Sequence, residues 1–414
     1  MVGVEDRGGG WHAGRVADAL TARDIRVTLA GDALEDLRER LSRTRLPAAD
    51  GEGWARGAPR SWLAALLADW QEFDVAAFQA RLDRLTHREV TVDGQRIHLV
   101  HAPGQGPDPL PLLLTHGWPG SFCEYLDLIP LLADPGAHGG NPADAFTVVV
   151  PSLPGFGFSA APPPGGLTAP AVAALWYRLM TGSLGYPRFA AHGSDLGAGV
   201  TAWLARDFPA AVAGIHLATP GLAAPPRPDR PGEDGGPGEG WSPAEEKFVA
   251  EVKAWTAGEG GYAHEQSTKP STLGAALHDS PAGLAAWIGE KVIAWSAVSP
   301  GGQPAFSRDL LLGTLTLYWV TGTITSSLLP YWAYAHDPGA ALPAGDPPDV
   351  PTAISIFGGE RVPFPKPPRE LAERYFTVTG WAEHDRGGHF PAVAEPGLLA
   401  QTLRDVFRPA RSSR

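Results

Sequence analysis

The sequence predicts an α/β fold, in which a mostly parallel β-sheet is flanked by helices, with an N-terminal extension and a helical insertion. From residue 109 onward, short buried apolar segments alternate with helical segments, which is the pattern of a parallel sheet. The alternation stops after residue 220, helices alone follow, and the strand pattern resumes at residue 352. We therefore expect a sheet-forming core in two halves, with helices inserted between them as a lid.

The segment before residue 109 predicts helices and one hairpin. Asp32 and Glu35 form a capping-box-like helix start, and one face of that helix carries Leu34, Leu37 and Leu41. A second helical run is expected over 60–85, where Trp62, Leu66, Trp70 and Phe73 recur at helix spacing as core residues. Residues 90–101 predict two short strands around an Asp-Gly turn.

The core elements follow in order along the chain. Apolar runs predict strands at 109–116, 145–152, 188–193, 211–220, 352–357 and 375–381. Helical spacing predicts the intervening helices at 169–184, 196–208 and 396–408. The strand at 188–193 runs directly into the helix at 196–208, so a sharp turn must lie between them.

The insertion begins with a segment rich in Pro, Gly and charge at 221–240, which predicts a surface linker. Ser242, Pro243 and Glu245 then supply an N-cap, an N1 proline and an N3 glutamate. Ser280-Pro281 begins another helix, and a third helical run spans 308–320. No strand pattern interrupts these helices.

These patterns divide the chain into four segments. Residues 1–105 are expected to form the N-terminal extension, of which the Gly-rich residues 1–20 are predicted to be disordered. The core is expected in 106–220 and 346–414, and the helical lid in 221–345.

Composition excludes several classes of protein. The formal net charge of −12 argues against nucleic acid as a partner, because binding a polyanion needs clustered Lys and Arg. A single cysteine, Cys123, excludes an intrachain disulfide framework and fits a reducing compartment, so we expect a cytoplasmic protein. The sequence has neither a signal-peptide pattern nor a long apolar run, and no membrane partner is expected.

The turn after the strand at 188–193 reads GSDLG and raises the question of which residue is reactive. Glycines flank the pattern if it is centred on Asp195, whereas His192 and Leu196 flank it if it is centred on Ser194. A Cβ at either flank of such a sharp turn would clash, so the glycines favour Asp195 at its tip. These residues alone leave open whether Asp195 is a nucleophile or only caps the next helix.

A nucleophile at a strand end needs an oxyanion hole, meaning N–H donors for the negative oxygen that develops. His116-Gly117-Trp118-Pro119 follows a strand directly, so the backbone N–H of Trp118 can join that of Leu196 at the site. We interpret His116 as a structural hydrogen-bonding residue of this loop.

A base and a carboxylate to orient it are expected after the later strands. His389 follows the last strand and two glycines that let its loop fold inward, and it is preferred to His384, which lies too close to the strand end. Glu360 follows the strand at 352–357 and is the candidate partner of His389. A buried salt bridge is the alternative role of Glu360, and the competing carboxylates are Asp385, Glu383 and Asp337.

The motifs HGWPGS, PSLPGFGFS, GSDLG and RGGHF resemble those of the epoxide hydrolases of the microsomal type. The insertion carries the most distinctive similarity, in GGYAHEQSTKPSTLGAALHDSPAGLAAWIGEK (260–291) and LYWVTGTITSS (317–327). The resemblance covers about residues 24–408 and implies an α/β-hydrolase fold with a helical lid and the N-terminal domain of that family.

The resemblance also implies the reaction and its residues. Asp195 is the expected nucleophile, His389 the base and Glu360 its partner, and the lid tyrosines Tyr262 and Tyr331 protonate the epoxide oxygen. Trp118, Tyr262 and Tyr331 are the expected substrate-binding residues, whereas Tyr318 and Tyr334 are interpreted as packing residues. The substrate is an epoxide with water, the product is a vicinal diol, and neither cofactor nor metal is needed.

Three rival functions differ in what they require. A haloalkane dehalogenase also uses an Asp nucleophile but commonly places a Trp N–H just after it, where this chain has Leu196. A serine esterase would need Ser194, and a catalytically silent binding protein would not need the whole set of residues. For the epoxide hydrolase hypothesis, the apolar lid favours aryl or other bulky epoxides as substrates. The expected role is detoxification or secondary metabolism. The sequence also allows the chain to act as a homodimer.

Overall fold

A computed structural model describes residues 22–29, 31–48, 53–220, 222, 240–299 and 301–412. The predicted disorder at 1–20 lies outside these residues. The predicted linker at 221–240 also lies outside them, except for residues 222 and 240.

The described residues form one nine-stranded sheet in the order β1-β2-β3-β5-β4-β6-β7-β8-β9. The strands are β1 (Arg23–Ile25), β2 (His87–Val92), β3 (Gln95–Ala102), β4 (Leu110–Thr115), β5 (Phe146–Pro151), β6 (Phe189–Ser194), β7 (Val212–Ala218), β8 (Pro351–Gly358) and β9 (Thr377–Gly387). β1, β2, β3 and β5 pair antiparallel, whereas all the pairings among β5, β4, β6, β7, β8 and β9 are parallel. The prediction of a mostly parallel sheet is confirmed.

The central strands are buried on both faces. Every residue of β4, β5, β6 and β7 is buried, as expected of parallel strands that helices cover on both sides. The predicted hairpin is also present, since β2 and β3 are joined by Asp93 and Gly94, both with positive φ. All parallel strands end at the same edge of the sheet, which brings the loops after β4, β6, β8 and β9 together.

Helices flank the sheet and form the insertion. They are α1 (Asp32–Ser42), α2 (Arg60–Gln71), α3 (Val75–Leu82), α4 (Leu128–Ala133), α5 (Ala169–Arg178), α6 (Leu196–Asp207), α7 (Pro243–Glu259), α8 (Gly261–Thr268), α9 (Pro270–Asp279), α10 (Pro281–Trp295), α11 (Arg308–Thr321), α12 (Ile324–His336), α13 (Arg369–Ala372), α14 (Pro391–Ala394) and α15 (Pro396–Ser412). A π-helical turn at Leu179–Ser183 extends α5 to the predicted length. None of the helices in these described ranges is both long and apolar enough to span a membrane.

Three predictions about local structure were wrong in detail. Gly31, not Asp32, occupies the N-cap of α1, and no side chain caps that helix. The predicted helical run at 60–85 is two helices, because Asp74 caps α3 by accepting a hydrogen bond from the Ala77 amide at 2.9 Å. β9 begins later than predicted, because the amides of Tyr375 and Phe376 bond to Ala372 at the end of α13 instead.

The lid consists of α7 to α12. The predicted capping box of Ser242 and Glu245 is present at the start of α7, and Ser280 caps α10 as expected. The sequence did not predict α8, α9 or α12, and the contacts of α12 with α8 and α9 join these helices into one unit.

The N-terminal extension holds the lid in place. Its α1 packs against α10 and α11, and its α2 packs against α10. The Trp70 indole donates to the Thr316 hydroxyl at 2.9 Å, and the Trp319 indole of the lid donates to the Ala33 carbonyl at 3.2 Å. The extension therefore fixes the lid above the carboxyl ends of the parallel strands.

Candidate active site

The turn between β6 and α6 places Asp195 in a strained conformation. Its φ of 55° and ψ of −125° are unusual for a residue with a side chain. A Cβ on Gly193 would lie 2.0 Å from the Gly197 carbonyl oxygen, and one on Gly197 would lie 2.0 Å from the Thr115 carbonyl oxygen. Glycine is therefore required at both flanks, as the pattern centred on Asp195 predicts.

Asp195 and its neighbour Ser194 have different surroundings. Ser194 is the last residue of β6, is only 7% exposed, and its hydroxyl has no hydrogen-bond partner among the described residues. Asp195 occupies the N-cap position of α6, yet its side chain makes no capping bond. Its Oδ1 instead accepts a hydrogen bond from the Trp118 amide at 2.9 Å. The carboxylate thus faces the loop after β4.

The surroundings of Asp195 favour its ionised form. Burial, the largest influence, would raise the pKa of this carboxyl, but its interaction with the His389 imidazole and the amides of Trp118 and Leu196 hold the pKa below its ordinary value. The Asp195 Oδ2 lies 3.3 Å from the His389 Nε2. Gly117 allows the Asp195 side chain to lie against the loop after β4, since a Cβ on Gly117 would lie 2.4 Å from Asp195.

His389 reaches the site through the two glycines that precede it. Gly387 and Gly388 both have positive φ, and a Cβ on Gly388 would lie 2.5 Å from the Ala297 nitrogen. The His389 amide donates to the Trp295 carbonyl at 3.0 Å, which fixes the loop against the end of α10. His384 lies inside β9, where its ring stacks on Phe357.

Aromatic rings enclose the His389 imidazole. Its ring centroid lies 4.9 Å from that of Phe364, with nearly parallel planes, and 5.0 Å from that of Trp295. Phe390 packs edge-on at 4.9 Å. These contacts restrict the imidazole to one orientation, toward Asp195.

Glu360 lies directly after β8 and its side chain is only 3% exposed. Its Oε2 and the His389 Nδ1 both lack a hydrogen-bond partner in the described part of the chain, so no hydrogen bond joins them in this structure. Burial raises the pKa of Glu360, and its own amide, Lys366 and His389 partly offset that effect. The competing carboxylates Glu383, Asp385 and Asp337 are exposed.

The two lid tyrosines meet above the carboxylate. Tyr262 belongs to α8 and Tyr331 to α12, with ring centroids 6.0 Å apart. Both pack on the Trp118 indole, at 5.5 and 5.9 Å. Burial raises the pKa of both phenols, and the nearby charge of Asp195 raises them further. Both side chains therefore stay protonated at neutral pH and can donate hydrogen bonds.

The sequence also assigned structural roles to His116, Tyr318 and Tyr334. The buried His116 ring contacts the Gly117 carbonyl at 3.0 Å and accepts from the Leu153 amide at 3.1 Å, so it bridges two loops. Tyr318 is buried and donates to the Gly120 carbonyl at 3.3 Å. Tyr334 is 55% exposed, so its predicted packing role was wrong.

Sequence reasoning missed two side chains that adjoin the site. Trp295 contacts Trp118, Tyr262 and His389, and thereby joins the lid to the loop after β9. The Lys291 ammonium lies over the Tyr262 ring, 5.1 Å from its centroid. Both residues belong to α10, and no local pattern distinguishes them from ordinary helix residues. Their position could be found only by knowing that α10 ends beside the loop after β9.

Comparisons with known proteins agree with this arrangement. Residues 22–125 match the model of the epoxide hydrolase N terminus, and residues 111–256 match that of the alpha/beta hydrolase fold. A putative epoxide hydrolase of Stigmatella aurantiaca is 41% identical, over 94% of this chain and 85% of that protein. Epoxide hydrolase 1 of Sus scrofa is 34% identical, over 96% of this chain and 91% of that protein.

A solved structure shows the same architecture. The epoxide hydrolase of Aspergillus niger superposes with a TM-score of 0.79 at 27% identity, covering 95% of this chain and 97% of that one. The chain belongs to the epoxide hydrolase family and has the α/β-hydrolase fold. It is accordingly a hydrolase that acts on epoxides.

Proposed function

We propose that the chain converts an epoxide to a vicinal diol through a covalent ester on Asp195. One Asp195 oxygen attacks an epoxide carbon, the carbon–oxygen bond breaks, and the epoxide oxygen takes a proton from the Tyr262–Tyr331 pair. The observation that carries this proposal is the position of the Asp195 carboxylate, which has N–H donors on one side and the two protonated phenols above it.

In the second step, we propose, water cleaves the ester. His389 takes a proton from a water molecule that attacks the ester carbonyl, and Glu360 stabilises the imidazolium that forms. The amides of Trp118 and Leu196, which interact with the free carboxylate, would hold the oxyanion. The imidazolium then returns that proton to the departing alkoxide, which gives the diol. The second proton of the water passes from the new carboxyl group to the phenolate left by the first step, which restores both the carboxylate and the tyrosine.

The substrate class follows from the walls of the site. The side chains of Trp118, Trp295, Tyr262 and Tyr331 contact one another around the carboxylate. We therefore propose an aryl or other bulky apolar epoxide, bound by Trp118 and the two tyrosines. A panel of aryl and alkyl epoxides, with chiral analysis of the diols, tests this preference.

Oxygen-18 labelling tests the covalent step. In a single turnover in oxygen-18 water with enzyme in excess, the diol should stay mostly unlabelled, and the peptide containing Asp195 should gain the label. The reason is that the oxygen added to the product comes from the carboxylate, which solvent then restores. Labelled diol together with an unlabelled Asp195 peptide would falsify the ester mechanism.

A haloalkane dehalogenase is the nearest alternative, because it also uses an Asp nucleophile. The halide that such an enzyme releases must be held by N–H donors, and the Leu196 side chain supplies none. The Trp118 indole N–H, which has no partner among the described residues, is the one feature that favours it. Halide release from bromoalkanes, measured beside diol formation from the matching epoxides, discriminates between the two activities.

Two further expectations remain predictions. The cytoplasmic location is supported by the single cysteine, Cys123, which is buried and free. Fractionation of the producing cells tests the location. A homodimer is tested by sedimentation of the purified chain over a range of concentrations.

A further inference from the structure

The lid contains a buried ammonium group that the proposed reaction does not use. Lys291 is only 8% exposed, and its Nζ lies 5.1 Å from the centroid of the Tyr262 ring. Its acidic neighbours are Glu290 at 2.9 Å and Glu259 at 3.8 Å. Burying an ammonium group costs free energy, so its place beside one catalytic phenol requires an explanation beyond ordinary surface pairing.

We propose that Lys291 is a positioning residue that makes Tyr262 the proton donor of the tyrosine pair. Its cation lies over the phenol ring, where it stabilises the phenolate that forms as the epoxide opens. This inference rests on the proposed acid role of the lid tyrosines and names which of the two phenols gives up its proton.

The protons of the reaction balance in this scheme. When Asp195 attacks, the electron pair of the broken carbon–oxygen bond goes to the epoxide oxygen, which takes the Tyr262 proton and leaves a phenolate. That phenolate persists until the ester is hydrolysed, when the second proton of the attacking water returns to it. A cation over the ring stabilises the anionic ring more than the neutral one, because the attraction grows with the electron density of the ring face.

The interaction between the two tyrosines, whose ring centroids lie 6.0 Å apart, points to the same donor. It lowers the pKa of Tyr262, whereas it raises that of Tyr331, although burial keeps both above the ordinary value. The phenolate is therefore favoured at Tyr262 rather than at Tyr331. Lys291 acts from the ring face of the same residue.

Glu290 should act in the opposite direction. Its carboxylate raises the pKa of Tyr262, so it disfavours the phenolate, while its ion pair with Lys291 partly cancels both charges. The charged or titratable groups around Tyr262 and Lys291 are Asp195, Tyr331, Glu290, Glu259 and Lys291 itself. Removing Lys291 or Glu290 thus changes the field at the same phenol with opposite sign.

The test measures ring opening and ester hydrolysis separately, in single turnovers of styrene oxide with enzyme in excess. Lys291→Met should slow ring opening about tenfold and leave ester hydrolysis within about twofold of the parent enzyme. Lys291→Arg, which keeps the charge, should restore most of the loss. Glu290→Gln should speed ring opening about twofold, an outcome that loss of packing cannot produce.

The decisive comparison repeats Lys291→Met in a Tyr262→Phe background. If Lys291 acts through the Tyr262 hydroxyl, the second change should alter ring opening by less than about twofold. An equal tenfold loss in both backgrounds, or a loss in ester hydrolysis as large as that in ring opening, would overturn the inference. Normal ring opening in Tyr262→Phe alone would instead contradict the acid role of the tyrosine, so the two failures are distinguishable.

Discussion

The floor and the roof of the site are built in different ways. The floor consists of Asp195, His389 and the amides of Trp118 and Leu196, which all follow strand ends of one sheet. The roof consists of Tyr262 and Tyr331, which are carried by two helices of the lid and touch through side chains. Backbone contacts therefore fix the floor, whereas packing between separate helices fixes the roof.

The two regions also have opposite electrostatics. On the floor, hydrogen bonds hold the pKa of Asp195 below its ordinary value despite burial. In the roof, burial and the charge of Asp195 raise the pKa of both phenols. At neutral pH an ionised carboxylate thus faces two protonated phenols, which is the combination that the proposed opening of a strained ether requires. The division predicts that floor and roof substitutions slow different steps.

The largest effect is expected from the floor, at His389. His389→Gln removes the proposed base, so ester hydrolysis should slow by about a thousandfold or more, while ring opening continues. The ester should accumulate and add the mass of the substrate to the protein in intact-mass spectra. Asp195→Ala is the matched control and should show no adduct. An enzyme that turns over normally without His389 would remove it from the site.

The roof should show the reverse pattern. Tyr262→Phe or Tyr331→Phe should each slow ring opening about a hundredfold, and the double change should slow it further, because the rings still fill their space but the hydroxyl donors are lost. Rapid-quench measurement of the ester gives the rate. Tyr318→Phe, which removes a buried hydroxyl bonded to the Gly120 carbonyl, is the control. Near-normal ester formation in the double variant would place proton donation elsewhere.

The floor could be predicted from sequence because its parts are local. The spacing of Gly193 and Gly197 around Asp195 reflects steric contacts that the structure contains, and apolar runs located the strands on either side. The order of strands then brought the loop of His389 to the same edge. The shared sheet edge and the sequence patterns around Trp118, Asp195 and His389 were sufficient to predict that these residues lie together.

The roof could not be predicted in this way. α8 and α12 were not predicted from apolar spacing, because the faces of lid helices contact one another as well as solvent. Tyr262 and Tyr331 were named only through the resemblance to a family. Tyr334, three residues beyond Tyr331 on the same helix, is exposed although it was expected to pack. Tyrosine is amphipathic, so its burial depends on tertiary contacts that sequence spacing does not encode.

An effect of intermediate size is expected on stability, where the turn around Asp195 can be compared with the next residues of α6. Gly197→Ala places a Cβ 2.0 Å from the Thr115 carbonyl oxygen and should destabilise the fold by about 3 kcal/mol. Gly199→Ala, in the same helix, meets only an ordinary contact at 3.7 Å and should be neutral or stabilising by about 1 kcal/mol. Thermal unfolding of the two variants tests this. Equal melting temperatures would show that the turn can relax.

The smallest effect is expected at Glu360, for which the geometry alone does not decide between a partner of His389 and a purely structural residue. Its carboxylate lies near His389, but neither Glu360 Oε2 nor His389 Nδ1 has a hydrogen-bond partner in the described residues. Glu360→Gln keeps the shape and removes the charge that would stabilise the imidazolium. Ester hydrolysis should slow about tenfold, and ring opening should not change.

The raised pKa of Glu360 also predicts how ester hydrolysis should depend on pH. A carboxyl is ionised above its pKa, and burial raises the pKa of Glu360, so the charge is lost at a higher pH than for an exposed glutamate. In the parent enzyme, ester hydrolysis should therefore begin to fall at a higher pH than in Glu360→Gln, which has no charge to lose. Hydrolysis rates of preformed ester, measured from pH 8 down to about pH 5, test the difference. If the two profiles coincide and the rates are equal, Glu360 is a structural acid, and Asp385 or Asp337 is the better candidate partner of His389.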